Sequence, residues 1–325
     1  MANTNYLYVS PSPDGWRNLA VDEYFLDNMA KDEMMLYFYT NANAVIIGRG
    51  QNPWAECNLT AMERDHVQLV RRITGGGAVF HDAGNLNFSF IAGEDRYDLN
   101  RQMNMILRAV RSLGIPCEFS GRNDLLADGR KFSGNAFCTR GAVRQHHGTL
   151  LVRADLSRLQ NYLNVDPRKL QSKGVKSVRS RVCNLSDFVP ELTCDALLAA
   201  LKDAFRAEYG DYTEIGANWL EESAIAPYYE KQCSEAWRLG TTPRFDAQIE
   251  NRFQWGNVQL LLTLKGGRVE DARVYSDAND ADLPDAVRVL LLGADYHPAA
   301  LHDRLIQSDK EQIRELAQYI SGLEL

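Results

Sequence analysis

Arg71-Arg72-Ile73-Thr74-Gly75-Gly76-Gly77-Ala78-Val79-Phe80-His81-Asp82, continued by Gly84-Asn85-Leu86-Asn87-Phe88-Ser89-Phe90, decides how this chain is read. Two arginines run into three consecutive glycines. Val67 to Arg72 before them and Ala78 to Phe80 after them are strand-like. Leu86, Phe88 and Phe90 then alternate with Asn87 and Ser89, which predicts a half-buried strand with one polar face. A glycine costs roughly 0.5–1 kcal/mol relative to alanine in a regular element. Three together are accepted where the backbone must take positive φ or lie flush against another group. Two readings stand at this point. One is a tight turn with two surface arginines. The other is a nest whose N–H groups cradle an anion, with the arginines adding bidentate contacts. The glycines join two strands, open no helix and are not followed by Lys-Ser/Thr, so neither a P-loop nor a dinucleotide fingerprint is present.

The surrounding chain has 325 residues, 45% of them hydrophobic and 24% charged, with a net charge of −7. That is ample for two domains and a real core. It excludes a chain built to coat nucleic acid or an anionic membrane. Met1 to Gly15 lacks a cationic segment followed by an apolar run, so no signal peptide is expected. Runs such as Leu260-Leu261-Leu262 are too short to span a bilayer. Cys57, Cys117, Cys138, Cys183, Cys194 and Cys233 form no C-x-x-C pair, the pattern of free thiols in a reducing cytoplasm. The histidines show no metal-binding spacing either. His146 and His147 are adjacent, so on a strand they would point to opposite faces.

Outward from the glycines, Leu7 to Val9, Met35 to Tyr39 and Ala44 to Ile47 read as strands. Asn18 to Met29 is expected as a helix with Asp22 and Glu23 as first-turn acids. Gly48 to Trp54 is a polar loop in which Trp54 either lines a site or plugs the core edge. Glu56 to His66 and Asp98 to Leu113 are expected helices, the second closed by Gly114. Asp128-Gly129 signals a two-residue hairpin, and its return strand, Arg130 to Phe137, carries Lys131 beside the small Ser133 and Gly134. That lysine is either solvated or held over room left for a ligand. His146 to Val152 is a strand with the histidines at its mouth, where hydrogen-bonded burial is commoner than catalysis. Asp155 to Leu163 and Asp195 to Tyr209 are helical, and Ala224 to Trp237 is helical or irregular. Arg168 to Arg181 holds six cations and no acid, either a solvated helix face or a basic rim for phosphates or an acidic partner. Gly240 to Pro243 is the expected linker between a domain over 1–243 and a small α+β domain over 244–325. In the latter, Val258 to Leu264 and Arg268 to Tyr275 are strands about Gly266-Gly267. Leu283 to Leu292, Pro298 to Ser308 and Asp309 to Ile320 follow as helices.

No paired carboxylates and no Ser/His/Asp set stand out by spacing. The glycine triplet with its arginines, the hairpin lysine, Asn123-Asp124 and the basic stretch all suit anion handling. Activation of a carboxylate by ATP fits them best. It needs a nest for phosphates, a cation where charge builds up, and little protein acid–base chemistry in its first step. The block from Arg71 to Asp82 resembles the R-R-x-S/T-G-G-G-x-V-x-H-D motif of lipoate–protein ligases. Similar to that family's other blocks, in the same order, are Gly48-Arg49 with Gln51-Asn52, Gly121-Arg122-Asn123-Asp124, Arg130-Lys131-Phe132-Ser133-Gly134, His147-Gly148-Thr149-Leu150 and Ser177-Val178-Arg179-Ser180. The resemblance covers nearly the whole chain, including the C-terminal unit of the bacterial enzymes.

The resemblance implies an α+β fold. A large catalytic domain of the biotin/lipoate ligase type, with a mixed sheet and flanking helices, would be followed by a small C-terminal accessory domain. It implies that lipoate and MgATP form lipoyl-adenylate and pyrophosphate. The lipoyl group would then pass to a lysine of a carrier, the lipoyl domain of a 2-oxo acid dehydrogenase acyltransferase subunit or the glycine cleavage H protein. Lys131 matches the family's essential lysine. Arg71, Gly75, Gly76, Gly77, Ala78 and Val79 match its nucleotide and lipoate contacts. Asn123 and Asp124 are expected near the phosphates, with Asp124 a ligand of Mg2+. Val79 or Phe80, on alternate faces, would wall the slot for the dithiolane tail. Thr74 keeps a hydroxyl where many relatives have Ser. A cytoplasmic monomer with no nucleic-acid or membrane partner is expected. The first rival is an octanoyl or lipoyl transferase of the same fold, which takes its acyl group from a carrier thioester through a cysteine nucleophile, without ATP. For it, Cys138 lies seven residues after Lys131. A biotin ligase would carry a different glycine–arginine loop, and a non-catalytic carrier-binding homologue would not need Lys131.

Overall fold

The computed structural model describes residues 4–120, 123–164, 182–240 and 245–323. Gly121-Arg122, the basic stretch Arg168 to Arg181 with its Ser177 to Ser180 block, and linker residues 241–243 lie outside the described residues. The main sheet contains β1 (Thr4–Val9), β2 (Glu33–Tyr39), β6 (Asn85–Gly93), β7 (Glu118–Phe119), β8 (Asp124–Ala127), β9 (Arg130–Arg140), β10 (Val143–Leu151) and β11 (Thr213–Ile215). Their spatial order is β11-β1-β2-β6-β10-β9-β8-β7. β1 runs parallel to β2 and β11, and the other pairs are antiparallel, so the sheet is mixed. A second, three-stranded sheet sets β3 (Asn43–Ile47) between β4 (Gln68–Arg71) and β5 (Val79–Asp82).

Helices and the small sheet sandwich the large one. On one face α4 (Leu99–Ser112) and α6 (Cys194–Tyr209) bury Leu36, Phe38, Phe88 and Phe90. On the other, α1 (Gly15–Asn28) and the inner side of the small sheet bury Met35, Tyr37, Tyr39 and Ile91. Three short helices, α2 (Pro53–Glu56), α3 (Leu59–Arg64) and α5 (Leu159–Tyr162), close the outer side of the small sheet around Val45, Ile47 and Phe80. α7 (Glu222–Cys233) packs along α1 and leads into α8 (Glu235–Arg238). The C-terminal unit has its own buried cluster. It is the antiparallel sheet of β12 (Ala247–Phe253), β13 (Gly256–Lys265) and β14 (Arg268–Ser276), covered by α9 (Leu283–Leu291), α10 (Pro298–Leu305) and α11 (Glu311–Ser321). No helix among the described residues is long and apolar enough to cross a membrane.

Several boundaries depart from the sequence expectations for local reasons. α1 starts at Gly15 because Asp14 caps it, accepting from the Trp16 N–H, so Asp22 and Glu23 are interior acids and not first-turn ones. The single helix expected over Glu56 to His66 is two, because Cys57 forms a bridge to Leu163 and Asn58 starts a new cap. β10 begins at Val143, which places His146 and His147 inside the strand and not at its mouth. β6 is buried on both faces, since its polar side is covered by α1 and the small sheet. β12 was not expected from the sequence. Its alternation, with Asn251 and Arg252 interrupting, is too weak to signal a strand without its partner β13. The hairpin signal holds: Asp128 and Gly129 take φ of 48° and 67°, both positive as a type I′ turn demands.

Candidate active site

The glycine block occupies the connection from β4 to β5, pressed between the two sheets. Arg71 and Arg72 are only 6% and 8% exposed. Arg71 donates from Nη1 to the carbonyls of Gly48, Arg49 and Gln51, and from Nε and Nη2 to those of Trp237 and Arg238. Arg72 donates to Thr74 Oγ1 and to the carbonyls of Ile46, Gly75 and Gly77. No carboxylate among the described residues pairs with either guanidinium. Burial pushes each pKa down to about 10, so both remain charged at neutral pH. Two positive charges thus lie beneath the glycine loop, held by backbone carbonyls and the Thr74 hydroxyl.

Each glycine has a different neighbour. Gly76 takes φ of 93°, and its N–H donates to the Ala278 carbonyl at 2.7 Å. A Cβ on Gly75 would overlap the carbonyl oxygens of Ala278 and Asn279. Gly77 is exposed, with open space where a Cβ would be. The C-terminal unit therefore covers the Gly75–Gly76 side of the loop and leaves the Gly77 side open. Beyond the loop, Ala78 and Val79 diverge. Val79 faces the cluster between the sheets, whereas Ala78 and Phe80 belong to the outer one, where Phe80 packs on Tyr162. Of the two side chains expected to wall an apolar slot, only Val79 faces the interior cleft.

Lys131 stands on β9, with its Nζ on the face of the large sheet that carries Thr149 and His147. Its Nζ is 2.7 Å from Asp124 Oδ1 on β8, and it lies across Gly134, where a Cβ would stand 2.7 Å from Nζ. Glycine leaves room there for the end of the lysine side chain, and its φ is not the reason. The Gly134 N–H donates to Thr149 Oγ1 on β10. His147, two residues before Thr149, shares that face about 7 Å away along the strand, and its Nε2 is 2.7 Å from Thr74 Oγ1 in the glycine block. β10 is thus the floor that joins the lysine to the glycine loop. Asn123 joins β9 through reciprocal bonds with Asn135, which fixes the approach to Asp124.

The structure also assembles a chain that spacing did not show. Thr74 meets His147, and His147 Nδ1 is 3.0 Å from Asp22 Oδ2 on α1. All three are buried, and Asp22 Oδ1, His81 Nε2 and Asn85 Oδ1 have no hydrogen-bond partner among the described residues. These groups make the interior cleft a polar interlayer. His146, on the other face, is bound by Gln102 and Asn135 in the α4 core. Asp22 lies far from the glycines in sequence, and as one of several polar residues of α1 it carries no local signal of this pairing.

Residues 14–206 match the family model of the lipoyl protein ligase A/B catalytic domain, and residues 242–321 match that of the bacterial lipoate protein ligase C-terminus. The chain belongs to the lipoyl protein ligase A/B family. Among solved structures it is similar to LipL1 of P. falciparum in complex with lipoate, at 27% identity over 98% of this chain and 100% of that one, with a TM-score of 0.86. A bi-partite lipoate protein ligase from Thermoplasma acidophilum, described with its E2 lipoyl domain, matches at 31% identity over 75% of this chain and 98% of its own, with a TM-score of 0.64. A lipoate-protein ligase A bound with ATP matches at 30% identity over 74% and 99%, with a TM-score of 0.63. The mixed sheet, flanking helices and small C-terminal unit are those of the lipoate ligase fold.

Proposed function

We propose that this ligase joins lipoate to ATP, forming lipoyl-adenylate and releasing pyrophosphate, and then transfers the lipoyl group to the ε-amine of a carrier lysine, releasing AMP. The observation that carries this is the pair of buried guanidiniums under the glycine loop that have no carboxylate partner among the described residues. Buried charges are ordinarily paired, and the polyphosphate of ATP is the counter-charge that these lack. Gly75, Gly76, Gly77, Ala78 and Val79 line the bound nucleotide and acyl chain, and Arg71 and Arg72 act from beneath. Lys131, poised on Asp124 by 2.7 Å, places its ammonium where charge develops between carboxylate and α-phosphate.

Among the described residues no group of three or more His, Cys, Asp or Glu gathers as a metal cage. Asp124 beside Asn123 nevertheless fits Mg2+, an ion commonly held by one carboxylate together with substrate phosphates. When bound with ATP, Mg2+ would offset phosphate charge. Asp124 would be its protein ligand, and Asn123 would orient the phosphates. The acceptors proposed are lipoyl domains of 2-oxo acid dehydrogenase acyltransferase subunits and the glycine cleavage H protein. The separate C-terminal cluster supports a division into 1–243 and 244–325.

The thiol-transferase alternative needs an accessible thiolate. Burial instead pushes Cys57 and Cys138 up to about 12 and Cys183 and Cys194 up to about 11. Incubation with ATP, Mg2+, lipoate and an unmodified lipoyl domain should add one lipoyl mass per domain, with lipoate-dependent pyrophosphate release. Acyl transfer from a carrier thioester without ATP, and none with it, would reverse the choice.

A further inference from the structure

Arg71 was expected to touch the ligand, yet its three guanidinium nitrogens are bound to five carbonyls. Those carbonyls belong to two separate pieces of chain. Gly48, Arg49 and Gln51 form the turn after β3, and Trp237 and Arg238 end α8. The contact is reciprocal, because the Trp237 indole N–H donates back to the Arg71 carbonyl at 2.8 Å. Trp237 is itself fixed. Its backbone N–H donates to Ser234 Oγ, and Lys231 Nζ sits 3.9 Å from its ring centroid while pairing with the buried Glu23 of α1.

The turn that Arg71 holds is the bed of the glycine loop. The Arg49 N–H donates to the Thr74 carbonyl at 2.9 Å, and the Gly48 N–H is fixed by Gln51 Oε1 at 2.9 Å. A Cβ at Gly48 would overlap the Gly76 carbonyl, so the two loops touch backbone to backbone. α8 lies between the stretches matched by the two family models, 14–206 and 242–321.

We propose that Arg71 and Trp237 form a positioning clasp, through which the segment between the two family matches holds the 48–51 turn and so sets the shape of the glycine loop. Arg71 is then a positioning residue that acts through carbonyls. This rests on the glycine loop being the nucleotide site.

Trp237→Phe keeps the ring and removes the one indole donor, and Arg71→Lys keeps the charge and removes the fork. Each should raise KM for ATP in lipoate-dependent pyrophosphate release by about fivefold to tenfold, the scale of one hydrogen bond. Each should leave kcat within about twofold, as loss of uniform binding does. Each should speed hydrogen exchange at residues 48–51 and 74–77 in the unliganded protein, and the double variant should be no worse than the worse single one. Arg71→Lys raising KM while Trp237→Phe matches wild type in both assays would overturn the clasp and make Arg71 a direct ligand contact. If wild type releases no pyrophosphate, the nucleotide reading fails, and the exchange measurement still decides the clasp: unchanged exchange in both single variants refutes it.

Discussion

Lys131 shows what one residue does when the fold aims it. The hairpin and Gly134 hold its ammonium against Asp124. Lys131→Ala should cost about 10²–10³ in adenylation rate, the scale of one preorganised electrostatic donor, read as lipoate-dependent pyrophosphate release. Near-normal release would remove Lys131 from the chemistry. Gly134→Ala is a milder probe. Its Cβ meets only the flexible end of Lys131, so the melting temperature should barely move while the rate falls about tenfold, one power of ten for each 1.4 kcal/mol of lost alignment. His81 and His146 carry a stability consequence. Burial pushes each down to about 3, with the Arg72 charge also lowering His81, from an unfolded value of 6.5. Both are neutral in the fold, and below pH 6.5 the unfolded chain takes up protons that the fold refuses. Stability should therefore be full above pH 6.5 and fall as pH drops toward 3, by up to about 1.4 kcal/mol per pH unit for each histidine. Urea unfolding at several pH values checks this, and His146→Gln should flatten the slope.

At the scale of the element, the glycine block shows how three identical residues acquire different duties. Gly76 needs its positive φ, Gly75 needs the absence of a Cβ against the Ala278 and Asn279 carbonyls, and Gly77 needs neither. Gly77→Ala should fold with wild-type stability and, if the glycine loop is the nucleotide site as proposed, lose activity. Gly75→Ala should displace the 276–279 segment and become more sensitive to limited proteolysis there. Equal proteolysis of the two variants would contradict the assignment. Alternation in Leu86, Phe88 and Phe90 was enough to place β6. It could not show that Asn87 and Ser89 face Tyr39 and Tyr37 across the sheet instead of water, because a covering layer leaves no mark on the covered strand. The Asp128-Gly129 hairpin was legible because a two-residue turn is a local matter, whereas β12 depends on its partner.

Over the whole molecule, the C-terminal unit meets the catalytic layers at the glycine loop. The Ser276 N–H donates to the Gly50 carbonyl, Asn52 to Gln259, and Arg49 pairs with Asp282 and Asp285 at 2.9 and 3.0 Å. These ion pairs are exposed enough that each contributes about 0–1 kcal/mol. Asp282→Asn combined with Asp285→Asn should leave the melting temperature nearly unchanged while speeding hydrogen exchange at Gly75 to Gly77. Exchange equal to wild type would mean that the backbone contacts alone hold the seam.

The sequence by itself determined the family, the strands around the glycines, the hairpin that carries Lys131 and the apolar stripes of the long helices. Each of these is written in neighbouring residues, by period, turn chemistry or motif. Only the tertiary structure decided that Arg71 and Arg72 are buried with no carboxylate partner among the described residues, that Val79 and not Phe80 faces the layer between the sheets, and that Thr74, His147 and Asp22 form one chain. Those facts depend on which surfaces the two sheets and α1 bring together. The partners come from distant parts of the chain, and their pairing is set by packing across layers, which no local pattern encodes.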